Sequence, residues 1–161
     1  MGIIGYLTPM DAAAVRQLRA WAAGFNHGAD TTNQQKSADL DKAWHLLHFT
    51  LCGEVEPNDQ ILSQAILGGE EIGEDVGVGP LRLIAPDTVR LIAVELQEIT
   101  VQQFITLMHS RDWTAADDIY GVRVGDDIEE FVPYVAEKYA DMRHVYLDTA
   151  KRGDAMLAYL I

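Results

Sequence analysis

Residues 40–49 read LDKAWHLLHF, and this stretch defines the centre of the predicted fold. Apolar side chains at positions 40, 44, 47 and 51 recur every three or four residues, which predicts a helix over residues 40–52 that ends before Gly53. Ala43, Leu46 and Phe49 make most of the remaining circumference apolar as well. Because a helix that is apolar nearly all round is usually buried, we expect this helix to lie in the core.

Four polar or reactive side chains form a second stripe on the same helix, namely Asp41, His45, His48 and Cys52. Asp41 could orient His45 one turn further on, an arrangement typical of general-base and metal sites. Alternatively, these groups satisfy each other and the backbone, because an unpaired buried polar group costs on the order of 1–3 kcal/mol. Cys52 and His48 could form a reactive dyad, although a lone buried cysteine more often behaves as a small apolar side chain.

A glycine-rich acidic turn, ILGGEEIGED at residues 66–75, is the second unusual segment. Residues 54–80 contain seven acidic side chains and no basic one, so the segment is either a ligand-facing loop or a solvated one. Its glycines permit positive φ angles and close approach of the backbone to a ligand. We expect any pocket to lie between this turn and the edge of the 40–52 helix. The candidate pocket residues are Asp41, Lys42, Trp44, His45, His48, Gly68, Gly69, Glu70 and Glu71.

Signatures of metal and cofactor sites are missing from the sequence. His45 and His48 are spaced so that both could bind one metal ion, but neither a His-Glu-x-x-His motif nor a second cysteine accompanies them. Calcium-loop, phosphate-loop, dinucleotide and nucleophile-elbow motifs do not occur either. We therefore predict no metal and no cofactor.

Composition bounds the class of protein. The 161 residues are most simply a single domain over 1–161. The single cysteine excludes an intramolecular disulfide. The sequence has neither a basic leader nor an apolar run of ~20 residues. We therefore predict a cytoplasmic protein that is not bound to a membrane. The net charge of −13 argues against nucleic acid as a partner. The charge either attracts a basic protein or only keeps the protein soluble. The oligomeric state stays open.

The N-terminal half predicts a strand over residues 2–7 and then a helix. Thr8 is the expected N-cap, with Pro9 at the first helical position, and the helix ends near Gly24. Residues 25–37 are polar and predict a loop.

The C-terminal half predicts a strand, three helices and a last strand. The strand is expected at 81–84, helices at 86–98 and from Thr100, an acidic connector at 112–127, a helix at 127–152 and a terminal strand at 155–161. Pro133 either kinks the long helix or leaves its first turn separate. Together these elements predict an α+β fold, with a small mixed sheet from both termini and the 81–84 strand packed with about five helices.

Several segments together resemble a known family: the start MGIIGY at 1–6, DKAWHLLHF at 41–49, ILGGE at 66–70, GVGP at 77–80 and RGDAML at 152–157. In this combination the chain resembles the YfbM-like bacterial family, a domain of unknown function (number 1877). The resemblance spans essentially the whole chain. It implies a bacterial, cytosolic, single-domain α+β protein, and it implies no reaction.

Two functional hypotheses follow. The first is a non-enzymatic binding domain whose acidic surface holds a basic protein, as an inhibitor or toxin-neutralising protein would. The second is a small acid–base hydrolase in which Asp41 orients His45 as the base, His48 contacts the ligand and Glu70 is the second carboxylate. Because no catalytic triad can be identified in the sequence, we favour the first hypothesis. Whether the protein is an enzyme stays open.

Overall fold

The computed structural model describes residues 2–24, 37–75, 77–123 and 125–161, with the side chains of 115–117 left aside. The loop predicted over 25–37 therefore falls outside the described residues, except for Ser37.

Five strands form one sheet in the described part of the chain: β1 (Gly5–Met10), β2 (Ala38–Asp41), β3 (Glu70–Ile72), β4 (Leu81–Ile84) and β5 (Ala155–Leu160). Their order is β2-β1-β5-β4-β3, and each neighbouring pair is antiparallel. β1 and β5 pair from Gly5 with Leu160 to Met10 with Ala155, so both ends of the chain meet at the centre of the sheet. The predicted α+β class and the three predicted strands are confirmed, but the sheet is antiparallel rather than mixed.

The helices are α1 (Ala12–Ala22), α2 (Trp44–Cys52), α3 (Gln64–Leu67), α4 (Pro86–Glu98), α5 (Val101–Ser110) and α6 (Val132–Arg152). Short 3-10 segments lie at Ile61–Ser63, Trp113–Asp118 and Ile128–Glu130. The predicted bounds of α4 and the Thr100 N-cap of α5 are confirmed. Thr100 forms a capping box with Gln103, in which each side chain accepts the other residue's backbone N–H.

The prediction that Thr8 is the N-cap of the first helix was wrong. β1 continues through Thr8 and Pro9 to Met10, because its pairing with β5 extends that far. β2 pairs only with residues 5–7 of β1. Pro9 therefore lies beyond the paired part of this edge, where its missing N–H removes no hydrogen bond between β1 and β2. The N-cap is Asp11, whose carboxylate accepts the N–H of Ala14 at 2.8 Å.

The buried helix also begins later than predicted. Residues 38–41 form β2, and Asp41 takes a positive φ of 48° that ends the strand before α2 starts at Trp44. All nine residues of α2 are buried, as the apolar circumference predicts. In α6, the 3-10 turn at Ile128–Glu130 is separate and Pro133 lies in the first helical turn, where it breaks no hydrogen bond.

The sheet separates two apolar cores. Alternate residues of β5 point to opposite faces, so Met156 and Ala158 join the larger core, which contains residues of α2 to α6. Ala155 and Leu157 join the smaller core, where Leu18 of α1 packs. Helix α1 thus lies on one face, and α2 to α6 lie on the other. Within the described residues, none of the helices combines the length and apolarity needed to cross a bilayer.

Candidate functional site

The imidazole of His45 is held between two backbone groups. Its Nδ1 accepts the N–H of Tyr120 at 2.9 Å, and its Nε2 lies 3.0 Å from the carbonyl oxygen of Val55. Because a backbone N–H can only donate and a carbonyl can only accept, the ring proton must sit on Nε2. Burial lowers the pKa of His45, which favours this neutral form. His45 therefore takes its orientation from the backbone, and the prediction that Asp41 orients it was wrong.

Trp44 stacks against the His45 ring, with centroids 4.7 Å apart and planes within 1° of parallel. Its other neighbour is Tyr120, whose ring centroid lies 5.5 Å away. The indole N–H donates to the carbonyl of Ile3 at 3.2 Å, and the Tyr120 hydroxyl accepts the Ile3 N–H at 2.5 Å. These aromatic rings therefore anchor the N-terminal segment to α2.

His48 is fully buried beside Cys52, with Nε2 3.4 Å from Sγ. Within the described residues, its Nδ1 makes no hydrogen bond of acceptable distance and angle. Burial lowers the pKa of His48 to about 4, and contact with the Glu56 backbone opposes that shift only in part. Burial likewise raises the pKa of the Cys52 thiol, which donates to the His48 carbonyl at 3.1 Å. The pair consequently consists of a neutral imidazole and a neutral thiol, not the activated dyad that the spacing allowed.

Asp41 and Lys42 lie where β2 ends, before α2 begins, and the hydrogen-bond partners of His45 are other residues. Burial, together with the Asp41 carboxylate hydrogen-bonded to its hydroxyl, raises the pKa of Tyr134 to about 12. The Lys42 side chain covers Gly2, where an added Cβ would come within 2.5 Å of the Lys42 Cε. Both residues therefore have partners from other parts of the chain.

The glycine–glutamate turn leads into β3. Gly69 has a φ of 101°, and a Cβ there would lie 2.8 Å from the Leu83 carbonyl oxygen, while Gly68 follows α3 as its C-cap. Glu70 forms a two-pronged ion pair with Arg19 of α1 at 2.9 and 2.6 Å, and this hydrogen bonding lowers the pKa of Glu70. Glu71 pairs with Arg82 at 2.9 Å.

The candidate pocket is therefore split between the two faces of the sheet. Glu70 turns towards α1 because it lies two residues from Ile72 on β3, and Ile72 belongs to the smaller core. His45 and His48 belong to α2, which packs on the opposite face. The described residues do not join the imidazoles and the turn in one recess, which corrects the predicted geometry.

Two depressions lie away from the two imidazoles, and the first of them includes two residues of the predicted pocket. A cavity of about 520 Å³ lies between α1 and the ends of β1, β4 and β5, with Gly69 and Glu70 at its border. A second depression, of about 390 Å³, lies between β2 and α6 and is here called the β2–α6 groove. Its lining residues are Ser37, Ala38, Asp39, Asp141, His144, Val145 and Asp148.

Comparison with known proteins gives a family but no activity. The family model of DUF1877, a domain of unknown function, matches residues 1–159. The chain belongs to this family. The crystal structure of YfbM from Escherichia coli, a protein of unknown function, aligns with a TM-score of 0.67 and 21% sequence identity, covering 98% of this DUF1877 chain and 99% of YfbM. At that identity the likeness shows the fold alone. A search of curated proteins finds no match.

In this DUF1877 chain the two depressions were not located from the sequence for one reason: each is formed by segments that are distant in the sequence. The cavity brings together residues from α1, α3, α4 and four strands, and only the packing reveals this arrangement. The β2–α6 groove places Asp39 beside Asp141 and Asp148, which are about two turns apart on α6. Helix α6 and β2 are far apart in the sequence. Among the residues that the structure describes, no cluster of three histidine, cysteine or acidic side chains is arranged to hold a metal ion.

Proposed function

We propose that this DUF1877 chain is a non-enzymatic binding domain that holds a basic segment of a partner protein in the β2–α6 groove. The observation that carries the proposal is the composition of that groove. Asp39, Asp141 and Asp148 surround a floor that includes Ala38 and Val145. Such a surface suits lysine and arginine side chains, whose stems are apolar and whose ends are cationic.

The charges of the groove are only partly compensated. Asp148 is paired with Arg152, which also binds Asp154. Asp39 accepts the backbone N–H of Asp41 at 2.8 Å and, like Asp141, has no ion pair within the described ranges. Two carboxylates are thus available to an incoming cation, in a protein whose net charge is −13. An acidic surface of this kind accelerates the association of a basic partner and favours it over an acidic one.

The contacts of the two histidines weigh against the alternative, an acid–base hydrolase. Both ring nitrogens of His45 are engaged by the backbone, so neither is available to take a substrate proton. His48 is fully buried and neutral well below pH 7. The catalytic roles proposed for these residues would require both rings to change partners. A binding domain that inhibits or neutralises its partner only by covering it does not require these rings to change their contacts.

A titration with a basic peptide tests the proposal. Oligolysine labelled with a fluorophore is added to the protein and followed by anisotropy, first at about 50 mM and then at about 300 mM salt, because screening at the higher ionic strength weakens exposed charge pairs. Binding that is lost at high salt supports the proposal, provided that an oligoglutamate peptide of the same length does not bind. Absence of oligolysine binding at both ionic strengths would contradict it.

A further inference from the structure

The cavity beside α1 lies apart from the β2–α6 groove and has a different chemistry. Its walls are mostly apolar and include Met10, Val15, Leu83, Ile84 and Pro86. Its volume of about 520 Å³ lies within the range of roughly 300–1,000 Å³ that is usual for pockets that hold small molecules. The space therefore suits an apolar body of small-molecule size.

Four charged side chains border the cavity, and three of them are already paired. Arg19 is bound by both oxygens of Glu70, and Asp154 accepts a hydrogen bond from the Nε of Arg152 at 3.0 Å. Arg16 is exposed and has no ion pair in the described part of the chain. The cavity thus has one uncompensated charge, and that charge is positive although the protein as a whole is strongly acidic.

We propose that this cavity binds a small amphipathic carboxylate, whose apolar body packs against Met10, Val15 and Leu83 and whose carboxylate pairs with Arg16. A guanidinium presents two parallel N–H groups that match the two oxygens of a carboxylate. The apolar body makes burial favourable, while the charge of Arg16 selects the anionic end. Inorganic anions lack the apolar part, and basic ligands would be repelled by Arg16.

The chemical class includes straight-chain and aromatic acids, so the first experiment uses one of each. Octanoate and 4-phenylbutyrate are titrated by calorimetry, with 1-octanol as a neutral ligand that has the same chain length as octanoate. Methyl resonances then locate the site. We expect at least one carboxylate to bind more tightly than 1-octanol and to shift the methyl signals of Met10, Val15 and Leu83. The ligand that binds more tightly shows whether the body is a chain or a ring.

Matched variants separate the role of Arg16 from a general effect of charge. Arg16→Gln should weaken binding of the carboxylate by about tenfold, the loss expected for one charge-assisted pair, and should leave binding of 1-octanol unchanged. Arg123→Gln removes the same charge from an exposed residue away from the cavity and should change neither affinity. Val15→Phe fills the cavity and should abolish binding of both ligands, with near-ultraviolet circular dichroism to verify its fold.

Three results would overturn the proposal. The first is absence of binding by both carboxylates at millimolar concentration. The second is an equal loss of affinity in Arg16→Gln and Arg123→Gln. The third is a set of shifted methyl signals that excludes Met10, Val15 and Leu83. None of these results bears on oligolysine binding in the β2–α6 groove, so the two proposals can fail separately.

Discussion

The imidazole of His45 accepts a 2.9 Å hydrogen bond from the backbone N–H of Tyr120, a residue 75 positions further along the chain. The opposite ring nitrogen donates to Val55, so one side chain connects two loops to α2. Trp44 and Tyr120 complete this contact by stacking. In this arrangement the histidine that the sequence presents as a general base stabilises the fold.

Replacement of His45 measures that structural role. We expect His45→Ala to lower the free energy of unfolding by about 2–3 kcal/mol, because the Tyr120 N–H and the Val55 carbonyl both lose a partner in a partly buried setting. Urea denaturation followed by far-ultraviolet circular dichroism gives the value. His144→Ala serves as the control, since this histidine is exposed and its loss should change stability by less than about 0.5 kcal/mol. Equal effects of the two substitutions would contradict the structural role of His45.

The pKa of His48 makes stability depend on pH. Its folded-state pKa of about 4 is below the unfolded value of 6.5, so the unfolded chain binds the extra proton first. The stabilisation is complete above pH 6.5 and is lost as the pH falls towards 4, by up to about 3 kcal/mol at 1.36 kcal/mol per pH unit. Unfolding free energies at several pH values between these limits measure the slope.

His48→Gln isolates this contribution, because glutamine does not titrate. Its unfolding free energy should change less steeply with pH between 6.5 and 4 than that of the original protein. Thr50→Val is the matched control: Thr50 is also buried on α2, its hydroxyl has no hydrogen-bond partner among the residues that the structure describes, and its replacement removes no titrating group. A slope in His48→Gln as steep as that of Thr50→Val would show that His48 is not the group responsible.

Gly69 and Gly77 provide a test of the entry to β3. Both have a φ near +100°, namely 101° and 106°, but only at Gly69 would a Cβ meet the backbone, 2.8 Å from the Leu83 carbonyl oxygen. Both alanine variants are destabilised by the unfavourable φ, and Gly69→Ala is destabilised further by a clash with the neighbouring strand β4. We expect Gly69→Ala to be less stable than Gly77→Ala by about 1–3 kcal/mol, the usual cost of overpacking. Equal melting behaviour of the two variants would contradict the close approach of β3 to β4.

Much of the fold follows from local patterns in the sequence. The apolar circumference of α2 indicated a buried helix, and the apolar run at the C terminus indicated a central strand, which pairs with β1 over six residues. The bounds of α4 and the capping of α5 were predictable because Pro86 and Thr100 act within a single turn. The resemblance to the YfbM-like family is also confirmed by the family match.

Contacts between distant segments decided the rest. Thr8 and Pro9 carry the local signals of a helix start, but pairing of β1 with β5 overrides them. β2 and β3 have four and three residues, which is too short for an alternating pattern to be recognised. The prediction placed Glu70 near the histidines because the sequence does not reveal its ion-pair partner, Arg19. Arg19 lies 51 residues earlier, on α1, which covers the face of the sheet opposite α2.

The proposed function depends on the carboxylates of the β2–α6 groove, and a pair of double variants tests them most directly. Asp39→Asn with Asp141→Asn removes two negative charges from the groove, while Glu95→Gln with Glu98→Gln removes two from exposed positions on α4 that have no ion pair in the described ranges. Both pairs change the net charge equally, so long-range attraction weakens by a similar amount in each.

Oligolysine affinity, measured by anisotropy at low salt, is the deciding quantity. The groove pair should weaken binding by about tenfold, because it removes direct charge contacts, and the α4 pair by less than about twofold. Equal weakening by the two pairs would contradict binding in the groove and would leave only the overall charge of the protein as the source of attraction.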